Sequence, residues 1–68
     1  MIKEKIGINA GKIWQFLDKN GESSISEIKK SLLLKGSEVR MALGWLAREN
    51  KIFFYNEDDN NLRIILLY

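Results

Sequence analysis

Gly36-Ser37-Glu38-Val39-Arg40-Met41-Ala42-Leu43-Gly44-Trp45-Leu46-Ala47-Arg48-Glu49 runs directly into Asn50-Lys51-Ile52-Phe53-Phe54-Tyr55, and the apolar period changes at the join. With Val39 set to zero and 100 degrees per residue, Leu43, Leu46 and Asn50 fall within about 40 degrees of it. Ala42 and Ala47 flank that stripe and Trp45 sits on its edge. Lys35-Gly36 breaks what precedes, so the pattern predicts a helix over residues 37–49 with Ser37 as its N-cap. Its opposite face presents Ser37, Arg40, Met41, Gly44 and Arg48. Beyond Asn50 the run Ile52–Tyr55 is β-branched and aromatic, as is Leu62–Tyr68. Between the runs, Glu57-Asp58-Asp59-Asn60-Asn61 tolerates turn geometry, so the two form an antiparallel hairpin.

Upstream, Ala10, Ile13, Trp14 and Leu17 are spaced i, i+3, i+4, i+7, one face of a helix. Asn9 serves as its expected N-cap and Asn20-Gly21 as its stop, giving a first helix from about Asn9 to Lys19. Residues 21–26 are polar and leave room for one or two strand residues around Ile25. Ser26 then opens a short helix carrying Ile28, ending near Ser31 or Leu32. The alternative cap is Ser24, since Ser24-Ile25-Ser26-Glu27 fits a capping box. Ser26 is preferred because it leaves Ile25 extended and pointing inward.

Helix, short extended piece, short helix, turn, longer helix, hairpin is the order of an α+β winged helix-turn-helix. It has three helices plus a C-terminal two- to three-stranded antiparallel wing, here as one domain over residues 1–68. The stretches Ile8-Asn9-Ala10-Gly11-Lys12-Ile13-Trp14 and Ala42-Leu43-Gly44-Trp45-Leu46-Ala47-Arg48-Glu49 resemble those of a family of short stand-alone winged-helix proteins of bacteria and archaea. That family has no assigned function, so the resemblance implies the fold and supplies no active site.

Composition narrows the chemistry. The chain has 68 residues with 11 Lys+Arg, 9 Asp+Glu, and no His, Cys or Pro. Without Cys or His there is no disulfide, thiol nucleophile or imidazole base, and no Gly-rich loop cradles a phosphate, so no enzyme is expected. No cofactor or metal is expected either, because the acidic run 57–59 lacks the spaced oxygen ligands of a calcium loop. Apolar runs of about five residues are far below the roughly 20 of a membrane helix, and no signal peptide opens the chain. A soluble, cytoplasmic protein is the expectation. A chain this short buries only about 60% of its unfolded surface, so stability is thin unless another copy contributes. The net charge of +2 is a weak nucleic-acid footprint.

In this fold the second helix of the motif enters the major groove of DNA, where Arg makes bidentate contacts to guanine. Arg40 and Arg48 are therefore the candidate base readers, with Ser37, Met41 and Gly44 beside them. Lys29, Lys30 and Lys35 are candidates for backbone phosphates, and Lys3, Lys5 and Lys12 form a second basic group. The acidic 57–59 tip would repel phosphate, and only Arg63 lies near enough to offset it. The hairpin carries Ile64, Leu66 and Tyr68 on one face and Ile65 and Leu67 on the other, and its partner strand is apolar on both sides too. A hairpin over a small core should be polar outside. Phe53, Tyr55, Ile64, Leu66, Leu67 and Tyr68 are accordingly expected to form a homodimer interface. Trp14 belongs to the core; Trp45 belongs at its edge. The expected function is a homodimeric DNA-binding transcriptional regulator. The competing reading is a protein–protein interaction module that keeps the scaffold without binding DNA.

Overall fold

A computed structural model describes residues 2–56 and 62–67. The elements follow the order α1 (Ile2–Asn20), β1 (Ser23–Ser24), α2 (Ile25–Leu32), α3 (Gly36–Arg48), β2 (Ile52–Asn56) and β3 (Leu62–Leu66). This is the winged helix-turn-helix arrangement expected from the element order. The turn expected over 57–61 and the side chain of Tyr68 lie outside the described residues.

Three helix starts differ from expectation, each for a local reason. α1 begins seven residues early, at Ile2, and Asn9 is an interior residue only 5% exposed instead of a cap. Gly7 and Gly11 lower helix propensity by about 1 kcal/mol apiece and hide the fact that half-buried Ile6 extends the Ala10–Ile13 stripe backwards. α1 ends as anticipated. Gly21 adopts φ +80, its N–H donates to the Leu17 carbonyl at 2.8 Å, and the Asn20 side-chain amide donates to Phe16 O at 2.9 Å.

α2 is capped by Ser24, not Ser26. Glu27 N–H donates to Ser24 Oγ and Ser24 N–H donates to Glu27 Oε1, both at 3.1 Å. The reciprocal box satisfies two amides at once, and it starts the helix at Ile25 instead of leaving that residue extended. The strand falls earlier, on Ser23–Ser24. α3 starts at Gly36 with Lys35 in the N-cap position, replacing the expected Ser37. Here Lys35 N–H donates to Glu38 Oε1 at 2.9 Å, so the acid at N3 does the capping. Between the two helices Leu33 sits in the left-handed region (φ 55), 90% exposed, which turns the chain sharply.

The sheet is antiparallel in the order β1-β3-β2, with Ser23 opposite Ile64 and Phe54 opposite Ile64 on the other side. One sheet face closes over the helices. Ala10, Ile13 and Leu17 of α1, Ile28 of α2, and Val39, Ala42, Leu43 and Leu46 of α3 meet Ile52, Ile64 and Leu66 in a single core. Trp14 and Trp45 are both half-buried and pack against it, so Trp14 is less enclosed than its period implied.

Removing the Ser24 hydroxyl strips one side of the capping box, so Ser24→Ala is expected to lower stability by about 1 kcal/mol. Exposed Ser26→Ala is expected to change it by less than about 0.5 kcal/mol. Urea denaturation of the two variants checks this, and equal effects would contradict the assigned cap.

Candidate nucleic-acid interface

The helix-turn-helix is α2, the turn at 33–35, and α3. Because Val39, Ala42, Leu43 and Leu46 are held in the core, the opposite face of α3 is turned to the surface. Ser37, Arg40, Met41, Gly44 and Arg48 are all exposed, as the helical period required, and so are Lys29, Lys30 and Lys35. The face is formed by one helix, with two turns separating Arg40 from Arg48 (about 12 Å at 1.5 Å per residue).

Two of these cations converge. A Cβ placed on Gly36 would lie 3.0 Å from Arg40 Nη1 and 3.8 Å from Lys29 Nζ. The Arg40 guanidinium therefore folds back over the first residue of α3, and the Lys29 ammonium reaches the same point from α2. Gly36 gives the room; any side chain there must displace the guanidinium. Both charges sit over the helix end whose unpaired N–H groups carry partial positive charge. The nearby acid is neutralised. Glu38 accepts from Lys35 N–H and pairs with Lys5 Nζ at 3.1 Å, and both hold its carboxyl below the usual range, the backbone bond foremost. The pairing assigns Lys5 an intramolecular role that its position in the sequence did not suggest.

Arg63 does not serve the wing tip. Its Nε donates to Glu22 Oε2 at 3.1 Å and its Nη1 to Glu27 Oε1 at 3.0 Å, while the Tyr55 hydroxyl donates to the same Glu22 oxygen. The Tyr55 hydroxyl, then Arg63, hold the Glu22 carboxyl below its ordinary value. The Ser24 backbone N–H, then the Ser24 side chain, do most of the same for Glu27, with Arg63 adding to it. The Arg63 pKa is raised, chiefly by Glu22. The cluster fastens β2 and β3 to the segment leading into α2, and no spacing rule links residues 22, 27, 55 and 63 in the sequence.

The expected dimer surface divides. Ile64 and Leu66 are 0% and 7% exposed inside the chain's own core, so they are not part of an outer interface; alternation along β3 turns them inward. The outer face instead carries Phe53 (54% exposed), Ile65 (38%) and Leu67 (47%), with half-buried Tyr55 beside them. Elsewhere, Trp14, Trp45, Gly7, Gly11 and Glu49 line an open cleft of about 310 Å³ between α1 and the end of α3. The described residues hold no cluster of acids fit for a metal, and no described helix is long and apolar enough to cross a membrane.

Residues 1–66 match the winged helix-turn-helix domain family DUF2582. The chain belongs to that family. A relative in Methanocaldococcus jannaschii, the uncharacterised protein MJ1608, is 51% identical over 57 residues, covering 79% of this chain and 80% of that protein. Among solved structures, the solution structure of protein BT2368 from Bacteroides thetaiotaomicron superposes with a TM-score of 0.86 at 35% identity. The match covers 97% of this chain and 79% of that one. The Zalpha domain of PKZ from Carassius auratus, solved in complex with Z-DNA, superposes with a TM-score of 0.79 at 29% identity. It covers 91% of this chain and 97% of that one. The winged helix-turn-helix fold is typically DNA-binding.

The Glu22–Arg63–Glu27 cluster gives stability a defined pH dependence. Both carboxyls have folded pKa values below the ordinary 4.5. Their stabilisation is therefore complete above that value and is lost as pH falls through the folded pKa values. Thermal melts from pH 7 to pH 3 should show Tm falling below about pH 4.5, and Arg63→Met should reduce that slope. An unchanged slope in Arg63→Met would contradict the cluster's role.

Proposed function

We propose that this protein binds duplex DNA through the exposed face of α3 and acts as a small transcriptional regulator. Arg40 and Arg48 face base edges, Ser37, Met41 and Gly44 line the contact, and Lys29, Lys30 and Lys35 hold backbone phosphates. The observation that carries this is the convergence of Arg40 and Lys29 over the N-terminal end of α3, with Glu38 tied up by Lys35 N–H and Lys5. A duplex docking there meets two cations and a helix N-terminus, with the nearest acid already paired. The Z-DNA complex of the Carassius auratus domain supports duplex DNA as the ligand class.

The wing takes a smaller part in this reading than the fold would allow. Arg63 is engaged by two glutamates, and the residues linking β2 to β3 are acidic in sequence. Contacts therefore concentrate on α2 and α3, and one copy engages few phosphates. Two copies of the chain, joined through the C-terminal hairpin, supply the missing contacts. A two-fold dimer reads two half-sites, spaced about 34 Å apart if they occupy successive major-groove turns.

Fluorescence titration with a mixed-sequence duplex and with an alternating CG duplex tests the proposal. Affinity should fall by a factor of ten or more between about 50 and 200 mM salt, as expected when several phosphates are neutralised. Arg40→Ala should weaken binding by about 1–3 kcal/mol, while Lys30→Ala should reduce the salt slope by about one. A stronger response to the CG duplex, accompanied by inversion of the duplex's circular dichroism, would identify the left-handed form as the preferred ligand. No binding to either duplex at low salt would overturn the DNA reading and favour the interaction-module alternative.

A further inference from the structure

The sheet has an open edge as well as an apolar face. Among the described residues β2 has one neighbour, β3, so its other side carries backbone groups with no strand beside them. The ladder fixes which groups these are. Leu67 N–H donates to Lys51 O at 2.8 Å, which puts Lys51 and Leu67 at a hydrogen-bonding position of the ladder, although Lys51 N–H turns back to donate to Leu46 O. Antiparallel pairs alternate, so Phe53–Ile65 and Tyr55–Arg63 exchange bonds as well. The N–H and C=O groups of Ile52, Phe54 and Asn56 consequently point away from β3.

Exposed edges are ordinarily blunted by Lys, Pro, a bulge or a covering loop. The strand Ile52-Phe53-Phe54-Tyr55-Asn56 has no charge and no proline, and it pairs with β3 without a bulge. It stands next to the outer-face patch of Phe53, Ile65 and Leu67, whose exposed area is on the order of a few hundred Å². Another copy of the same strand satisfies the open edge and brings a second apolar patch alongside the first. We infer that two copies pair β2 to β2 in antiparallel fashion about a two-fold axis through Phe54, joining the two sheets into one.

Only this register employs every outward group of the strand. Phe54 exchanges bonds with the partner's Phe54, and Ile52 pairs with Asn56 of the partner subunit, for about six hydrogen bonds in all. On the outer face Phe53 then lies directly opposite the partner's Tyr55, a close pair without backbone bonds, so two aromatic pairs flank the axis. Phe54, half-buried in one copy, is covered at the seam. The two apolar patches become continuous. An interface of one strand and a few large side chains per copy is small, so association is expected to be weak, with a dissociation constant on the order of 100 µM. This rests on the two-copy reading above and adds the register, not the DNA contact.

Sedimentation equilibrium and amide hydrogen exchange on the intact wild-type chain, at about 20 µM and about 1 mM, test it. The expected result is a shift from 7.9 kDa towards twice that mass, with Ile52, Phe54 and Asn56 amides exchanging at least tenfold more slowly at the higher concentration. Phe53 is exposed, so Phe53→Lys should leave the monomer folded and return those amides to fast exchange at both concentrations. A protein still monomeric at about 1 mM would overturn the pairing and the two-copy reading together. A dimer whose Ile52 and Phe54 amides exchange at concentration-independent rates would overturn the edge pairing alone.

Discussion

β3 is the constraint on which the rest depends. It is the central strand, and it holds β1 on one side and β2 on the other. Its inward residues Ile64 and Leu66 complete a core to which all three helices contribute. A chain of 68 residues has material to cover one face of that sheet, not two. The uncovered face therefore needs another solution, and it has two. Towards the tip of the hairpin, Arg63 and Tyr55 reach across to Glu22 and Glu27; towards its base, Phe53, Ile65 and Leu67 are left exposed.

The same economy shapes the basic surface. Each helix gives one face to the core, so the helix-turn-helix is left with its cations on a single side. Capping decides where they meet. Ser24 and Glu27 start α2 two residues earlier than a Ser26 cap would allow, and Glu38 starts α3 at Gly36. Since Gly36 has no side chain, the Arg40 guanidinium settles over that helix end beside Lys29. Glu38, an obstacle to an anionic ligand if left free, is instead engaged by the cap and by Lys5.

Element order and helix faces were legible because periodicity is local. Val39, Leu43 and Leu46 define the buried stripe of α3, and the exposure of Arg40, Met41 and Arg48 follows from it. The helix starts were less legible, since Asn9, Ser26 and Ser37 are good caps in isolation. Competing carboxylates at Glu27 and Glu38 and the Ile6–Ile13 stripe decided otherwise. The hairpin's two apolar faces were visible, but which one is buried depends on where α1 and α3 lie beneath it. That is why Ile64 and Leu66, expected at a dimer interface, lie in the chain's own core instead. The partners of Arg63 lie 36 and 41 residues away, and no spacing in the sequence announces such a contact.

The central claim is that the surface built by α2 and α3, and not the sheet, meets DNA. Backbone amide chemical shifts of the labelled protein, recorded as a duplex is added at low salt, test it most directly. The account predicts the largest changes at Ser37, Arg40, Met41, Gly44 and Arg48, with Lys29, Lys30 and Lys35 next. Changes confined to Phe53, Ile65 and Leu67, or none at all at saturating duplex, would contradict it.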